Sequence, residues 1–379
     1  MSDHVYTLYG SYASYYTAKS RAYLRKKHIP FVERLPSDPL FRNKVRPVSG
    51  SHRIPQLLTP EGDVVQDSVE MQDYLEARFP DLPAIPASPR QRIFVHLMEL
   101  LASEGLVRLA WMHRWVFEEN LSFVIKDFGR SFQPQGSDEE LERYGRLIAD
   151  RMRSYGLPEA TAELKAELDQ KYLALLALFE AHLIHHPYFL GGHPSAADYA
   201  IMGALHAHMG RDPAGLRIMQ DNAPRTFRWV EHMLVPEVQS PEFFSRPVEY
   251  PADDVVPESA LAILNHIADG YGHPFLLGAH AFKQFMEREQ PASGHVLDPE
   301  QDQPSLDEET VLLNGDKHSV KANLYHEWLS QRARLYFQDL PEAAQEDTLE
   351  MLGSGVAAEL LRAPVGARLS RVSNRLQIA

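Results

Sequence analysis

"RIPQLLTPEGDVVQDSVEMQDYLEARFP", residues 53–80, changes its hydrophobic period part-way along. Ile54 to Leu58, and then Val64 and Val65, are short β-prone runs on either side of the turn Pro60-Glu61-Gly62-Asp63, which predicts a β-hairpin. From Ser68 to Phe79 the spacing becomes helical, with Val69, Met71, Tyr74 and Leu75 on the inner side. Ser68 stands where a serine caps a helix beginning at Val69. The stretch therefore reads β-β-α, entered through Ile54-Pro55.

Upstream, "LYGSYASYYTAKSRAYLRKKHI", residues 8–29, adds a strand over Val5 to Tyr9 and a helix over Thr17 to His28. An extended run from Pro30 to Leu35 and a loop follow. The first 85 residues thus read β-α-β, loop, β-β-α. Downstream, "PDLPAIPASP", residues 80–89, is too rich in proline for a helix and predicts an extended linker. From Arg90 to about Trp229 the pattern is helical throughout, as in "RIFVHLMELLASEGLVRLAWMHRWVFEEN" and "ATAELKAELDQKYLALLALFEAHLI". A second proline-rich stretch, "SRPVEYPADDVVP", marks the next boundary. Three domains are expected, over 1–85, 86–245 and 246–379. The third holds helices near 259–271, 274–290, 325–338 and 343–352. It also holds a hairpin near 309–322 around Asn314-Gly315. The basic tail from Arg362 is expected to fray.

With 379 residues the chain is too long for one core. Its net charge of −14 argues against nucleic acid as a partner, which demands a basic face. That charge is uneven. Residues 1–85 hold 11 Lys and Arg against 10 Asp and Glu, whereas 246–379 hold 11 against 21. No stretch is apolar for the length of a membrane span, and no basic-then-apolar leader is visible at the start, so a cytoplasmic protein is expected. The absence of cysteine excludes disulfides, thiolate metal sites and a cysteine nucleophile. Any thiol chemistry must use a thiol that is brought in.

Three motifs, in order and at consistent spacing, together with the all-helical middle, make the chain resemble the glutathione S-transferase family over about residues 4–235. Residues 8–29 are similar to its first strand, catalytic loop and first helix; 53–80 to its glutathione-binding element; "GGHPSAADYAIMGAL", residues 191–205, to the capping-box helix of its second domain. The implied fold is a thioredoxin-like domain followed by an all-α domain, here with a mostly helical extension. The resemblance also implies that Ile54-Pro55 is cis and that Ile54 is a main-chain ligand of glutathione. Gln66, Asp67 and Ser68 then hold its γ-glutamyl end. Arg53, with His52 and Lys44, lies where the family supplies cations for the glycyl carboxylate.

Ser11 to Tyr16 contains two serines and three tyrosines. A free thiol has a pKa of about 8.5, and only its thiolate is a good nucleophile. Lowering that pKa by about two units takes roughly 2.7 kcal/mol. One hydrogen bond to the anion supplies about 1.5 to 3 kcal/mol and a helix N-terminus about 0.3 to 1. One hydroxyl at the start of the first helix therefore suffices. Ser14 falls where serine-type relatives carry theirs, and Tyr9 where tyrosine-type relatives do; Tyr12 lies within loop distance. Ser14 also suits a plain N-cap.

Ser195 and Asp198 form an S-x-x-D capping box, a stabilising device. In "LVRLAWMHRWVF" Arg108, Trp111 and His113 are candidates for the substrate pocket. His182 and His186 have the i, i+4 spacing of some zinc sites but lack a third ligand, and no metal is expected. The expected activity is conjugation of glutathione, as co-substrate, to an electrophilic, partly apolar small molecule, a detoxification chemistry. A homodimer is the family habit. A binding module that docks partners through its acidic extension is the alternative.

Overall fold

A four-stranded sheet in the order β2-β1-β3-β4 organises the front of the molecule. The computed structural model describes residues 5–313 and 315–379, so Asn314 of the expected Asn-Gly turn lies outside the described residues. Along the chain run β1 (Tyr6–Tyr9), α1 (Tyr15–Lys26), β2 (Phe31–Arg34), the single turn α2 (Arg46–Ser49), β3 (Gln56–Leu58), β4 (Val64–Gln66) and α3 (Ser68–Glu76). Next come α4 (Pro89–Leu100), α5 (Leu106–Val116), α6 (Glu118–Phe132), α7 (Asp138–Arg153), α8 (Ala162–His182), α9 (Ala196–Met202), α10 (Pro213–Asn222) and α11 (Pro224–Met233). The last third holds α12 (Glu258–Tyr271), α13 (His273–Glu289), β5 (Glu309–Leu313), β6 (Asp316–Val320), α14 (Leu324–Gln338), α15 (Glu342–Leu352), α16 (Val356–Arg362), β7 (Leu369–Val372) and β8 (Arg375–Ile378). The fold class matches the expectation: a thioredoxin-like front, an all-helical middle, and a mostly helical extension with hairpins.

β1 pairs parallel with β2 and antiparallel with β3, which pairs antiparallel with β4. Leu8 and Leu57 are fully buried in the sheet, as are Ala18, Ala22 and Leu24 of α1 and Val69 and Leu75 of α3. Prolines set several helix starts: Pro89, Pro213 and Pro224 occupy first-turn positions, where the missing N–H costs nothing.

Two compact units emerge. One takes the chain up to Ala84 together with Leu106–Tyr250; the other takes Ile85–Gly105 together with Pro251–Ala379. In the first, α1 packs on α9 and on the helical turn Gly203–His208. Gly203 is required there, because a Cβ would lie 2.2 Å from the Tyr15 ring.

In the second unit, α4 lies along α14. Arg92 stacks on Tyr336 with 4.8 Å between guanidinium and ring centre, Arg332 reaches Glu99 at 3.7 Å, and His326 reaches Glu104 at 3.1 Å. The partners ascend along α4 and the helical turn after it as they descend on α14, so the two helices are antiparallel. Inside α14 the buried Arg334 donates to Glu327 at 2.6 Å, and Gln331 donates to the other carboxylate oxygen at 2.8 Å. The hairpin β5-β6 forms as expected.

The tail corrects the expectation of fraying. β7 and β8 form a second hairpin, with Leu369, Leu376 and Ile378 buried. Ser373 and Asn374, at φ 50° and 61°, make its tight turn, which matches the twist of the flanking strands. Residues 41–49, expected as loop, are helical, and α16 is a further helix beyond those expected.

Candidate functional site

Strand register lines up one row across the sheet, with Tyr9 opposite Gln56 and Gln56 opposite Gln66. β1 ends at Tyr9, β3 begins at Gln56 and β4 ends at Gln66. Three connections therefore leave the sheet at the same edge: the loop into α1, the Ile54-Pro55 entry, and the Asp67-Ser68 step into α3.

The Ile54-Pro55 bond is cis. Buried Gln56 braces the approach to it, donating through Nε2 to the carbonyls of Ser51 at 2.9 Å and Arg53 at 2.8 Å. Arg53, His52 and Lys44 have exposed side chains. At the third connection Asp67, not Ser68, is the N-cap. Its carboxylate accepts from the amides of Val69 at 2.8 Å and Glu70 at 3.4 Å, while Ser68 is the first residue of α3. The reason is backbone geometry: Asp67 sits at φ 83°, ψ 138°, a strained region for an L residue that costs about 1 to 3 kcal/mol. Ser68 and Gln66 are both buried beside it.

The loop into α1 is tight. A Cβ at Gly10 would lie 2.2 Å from the Thr17 side chain, so only glycine fits. Ser14 donates its amide to the Ser11 carbonyl at 3.2 Å, and its Oγ accepts from the Thr17 amide at 3.3 Å, capping α1. A hydroxyl has one donor and two acceptor lone pairs, so this cap leaves the Ser14 proton for another acceptor. The first turn of α1 contains no acid.

The neighbouring hydroxyls go elsewhere. Tyr9 is fully buried with Phe41 and Val45, its ring 5.2 Å from that of Phe41, and burial pushes its hydroxyl pKa up. Tyr12 is 43% exposed; the Arg21 guanidinium stacks on its ring at 3.9 Å and Arg25 donates to its hydroxyl at 3.4 Å. Arg21 is itself fixed by Glu33 through bonds of 2.7 and 2.6 Å. Tyr15 packs edge-on against His208.

On the helical side, the structure brings Arg108 and Trp111 together, 5.0 Å from guanidinium to ring, and Trp111 packs on the cluster of Trp115, Val124, Ile125 and Ala149. His113 turns inward instead, fully buried, stacked on Phe117 at 4.3 Å and 3.4 Å from Asp169. The capping box is present. Asp198 accepts from the Ser195 amide at 2.8 Å, from its hydroxyl at 2.9 Å and from the Phe189 amide at 3.0 Å, while complete burial pushes its carboxyl up to about 6. His182 bonds the Tyr188 carbonyl at 3.1 Å and stacks on His186. Among the described residues no group of three or more metal-ligating side chains gathers. A groove of about 560 Å³ lies between the end of α8, α11 and residues 240–243. Its two arginines are already paired, Arg228 with Glu242 in the groove and Arg225 with Glu180 beside it.

Sequence reading missed Arg114. Buried in α5, it grips Asp212 through bonds of 2.7 and 3.0 Å and donates to the carbonyl of Ala13 at 2.8 Å and to that of Ala207. No local signal links residues 98 positions apart.

Two family models match the chain. Residues 8–83 match the glutathione S-transferase N-terminal domain and residues 162–232 the glutathione S-transferase C-terminal domain. The chain carries both glutathione S-transferase domains. Similar solved structures include the beta-etherase LigF from Sphingobium sp. strain SYK-6, at 21% identity over 60% of this chain and 94% of that one, with a TM-score of 0.41. A glutathione transferase family member from Pseudomonas fluorescens pf-5, with two glutathione bound, is 17% identical over 70% of this chain and 94% of that one, at a TM-score of 0.36. One from Methylobacterium radiotolerans, in complex with glutathione sulfonate, is 21% identical over 62% and 97%, at 0.35. A comparison with curated proteins returns no match. Among the described residues no helix is long and apolar enough to cross a membrane. The glutathione S-transferase domains thus account for the sheet, the edge where three connections meet, and the capping-box helix.

Proposed function

We propose that this chain is a glutathione transferase that joins the thiolate of glutathione to an electrophilic, partly apolar small molecule. The observation that carries the reading is the sheet edge shared by the Ser14 loop, cis Ile54-Pro55 and Asp67-Ser68. In this reading Ile54 pairs with the cysteinyl backbone. Gln66, Asp67 and Ser68 hold the γ-glutamyl end, and Arg53 attracts the glycyl carboxylate.

Ser14 is the hydroxyl that fits the sulfur. Its oxygen is engaged by the Thr17 amide, its proton is available, and the acid-free start of α1 adds a favourable field for an anion. Tyr9 and Tyr12 suit this role less well, one being buried in the sheet's core and the other stacked under Arg21. The thiolate attacks the electrophilic carbon, the new C–S bond forms, and the leaving group departs with its electron pair. Arg108 and Trp111 are the groups proposed to line the acceptor's path; buried His113 supports their helix. A cytoplasmic, homodimeric detoxification enzyme is the family pattern that this reading brings with it.

The test is thermal unfolding with and without millimolar glutathione, followed by conjugation to a chloro-nitroaromatic. Glutathione at about 100 times its dissociation constant stabilises by roughly 2.7 kcal/mol. Stabilisation with turnover is expected. Stabilisation without turnover would favour a binding module that uses the acidic extension, and no stabilisation would remove the reading altogether.

A further inference from the structure

The loop that carries Ser14 is held by few contacts of its own, and one comes from far along the chain. Ala13 and Ser11 are buried, yet the residues between β1 and α1 have a single internal backbone bond, Ser14 N–H to the Ser11 carbonyl. The carbonyl of Ala13, one residue before Ser14, accepts instead from Arg114 Nη1 at 2.8 Å. The rest of the guanidinium is fully occupied. Nε and Nη2 form a fork on the Asp212 carboxylate at 2.7 and 3.0 Å, and Nη2 also donates to the Ala207 carbonyl.

The anchor behind this fork is rigid too. The Asp212 amide bonds the His208 carbonyl at 2.8 Å, and Asn120 ties the end of α5 to the start of α10, donating to the His113 carbonyl at 3.0 Å and accepting from the Ala214 amide at 2.8 Å. Arg114 and Asp212 are both almost completely buried. A planar fork fixes direction as well as charge, which a lysine would not do.

We propose that Arg114, clamped by Asp212, is a positioning residue that sets the backbone at Ala13 so that the Ser14 hydroxyl and the first amides of α1 meet the glutathione sulfur. This rests on the reading of Ser14 as the activator of the thiol. Arg114 touches neither substrate in this scheme. Its effect passes through one peptide carbonyl to the orientation of the next residue. Errors of about 1 Å in such a group can cost about a hundredfold in rate.

Replacing Arg114 alone leaves a buried carboxylate without its partner, so Arg114→Met confounds positioning with loss of stability. The paired change Arg114→Met with Asp212→Leu removes both charges at similar volume and keeps the core apolar. Three quantities are compared in the intact protein, the paired variant and Ser14→Ala: glutathione affinity by calorimetry, titration of the bound thiol by its ultraviolet thiolate absorbance between pH 6 and 9, and turnover of a chloro-nitroaromatic. His113 and Arg211 beside Asp212, and His208 beside Arg114, are the other ionisable groups close to the pair. Burial holds the His208 pKa well below the usual histidine value, so the ring stays neutral as the thiol titrates.

The paired variant is expected to bind glutathione within about threefold of the parent, with the thiol pKa raised by about one unit and turnover at pH 7 reduced about threefold, recovering as the pH is raised. A titration identical to the parent's in the folded paired variant, with Ser14→Ala shifted, would overturn the role of Arg114 and leave Ser14 standing. If Ser14→Ala leaves the titration unmoved, or the parent binds no glutathione, the underlying reading falls and this one with it.

Discussion

Two helices start at the same edge of the sheet and are capped in opposite ways. α1 begins with the neutral hydroxyl of Ser14 and has no acid in its first turn. α3 begins with the carboxylate of Asp67, backed by Glu70. A helix N-terminus attracts negative charge, and α3 brings its own while α1 leaves the position open. In the proposed reading the difference gives the two starts separate chemical duties: α1 stabilises an arriving anion, and α3 presents an acid to an arriving cation. Glutathione has both, a thiolate and an ammonium. A third start, α9, carries the Ser195-Asp198 box deep inside and serves as a purely structural reference.

The largest expected effect tests α1. Ser14→Ala should lower conjugation turnover roughly a hundredfold, since a hydrogen bond to a charged group is worth about 1.5 to 3 kcal/mol, while glutathione affinity stays nearly constant. Steady-state kinetics beside calorimetry will show whether the loss falls on kcat; unchanged turnover would end the distinction between the two starts.

Next in size is the dependence of stability on pH, which separates fold from chemistry. Burial lowers His182, His193 and His232 to about 4 and His206 to about 3. An unfolded histidine, near 6.5, binds its proton first, so stability is full above pH 6.5 and is lost as the pH falls toward 4. Asp198 acts in the opposite sense: raised to about 6, it lowers stability as the pH rises from about 4 to 6, offsetting part of the slope. Four histidines at just under about 1 kcal/mol each should outweigh it, so urea unfolding at pH 6 should show about 2 to 3 kcal/mol less stability than at pH 7.5. A flat profile would mean that these rings are not buried neutral.

Asp67→Asn sharpens the α3 side. The amide oxygen still caps, so the melting temperature should hold, but the charge facing an ammonium is gone and glutathione affinity should weaken about tenfold, or 1.4 kcal/mol. Equal affinity would assign Asp67 to capping alone. The smallest effect belongs to the reference: Ser195→Ala should cost about 1 kcal/mol of stability and leave kcat and glutathione affinity at parent values.

What the sequence revealed follows the range of the forces involved. The change of period at residues 53–80 was legible because it is local, as was Ile54-Pro55 within its motif. The cap of α3 was misread by one residue, since Asp67 and Ser68 both have capping side chains and the unusual φ of Asp67 decides between them. Which way each hydroxyl points depends on tertiary packing: Tyr9 under Phe41, Tyr12 under Arg21. The Arg114 clamp joins α5 to the start of α10 and has no local trace. The tail hid its hairpin because its strands are four residues long and dotted with arginine, and its turn is Ser-Asn where Asn-Gly is the usual signal. α4 carried a clue in its composition. Ile93, Phe94, Val95, Leu97, Met98 and Leu100 are all buried, and apolar residues at so many successive positions need neighbours on nearly every side.

Those neighbours are made late. α4 leaves the ribosome before residues 106–250, and the helices that cover it within its unit, α12, α14 and α15, follow only afterwards. At synthesis rates of roughly 5 to 20 residues per second, this largely apolar helix waits about ten to thirty seconds for its cover. Nascent chains halted between Gly105 and Pro251 are therefore the form of this protein in which chaperone binding should be greatest.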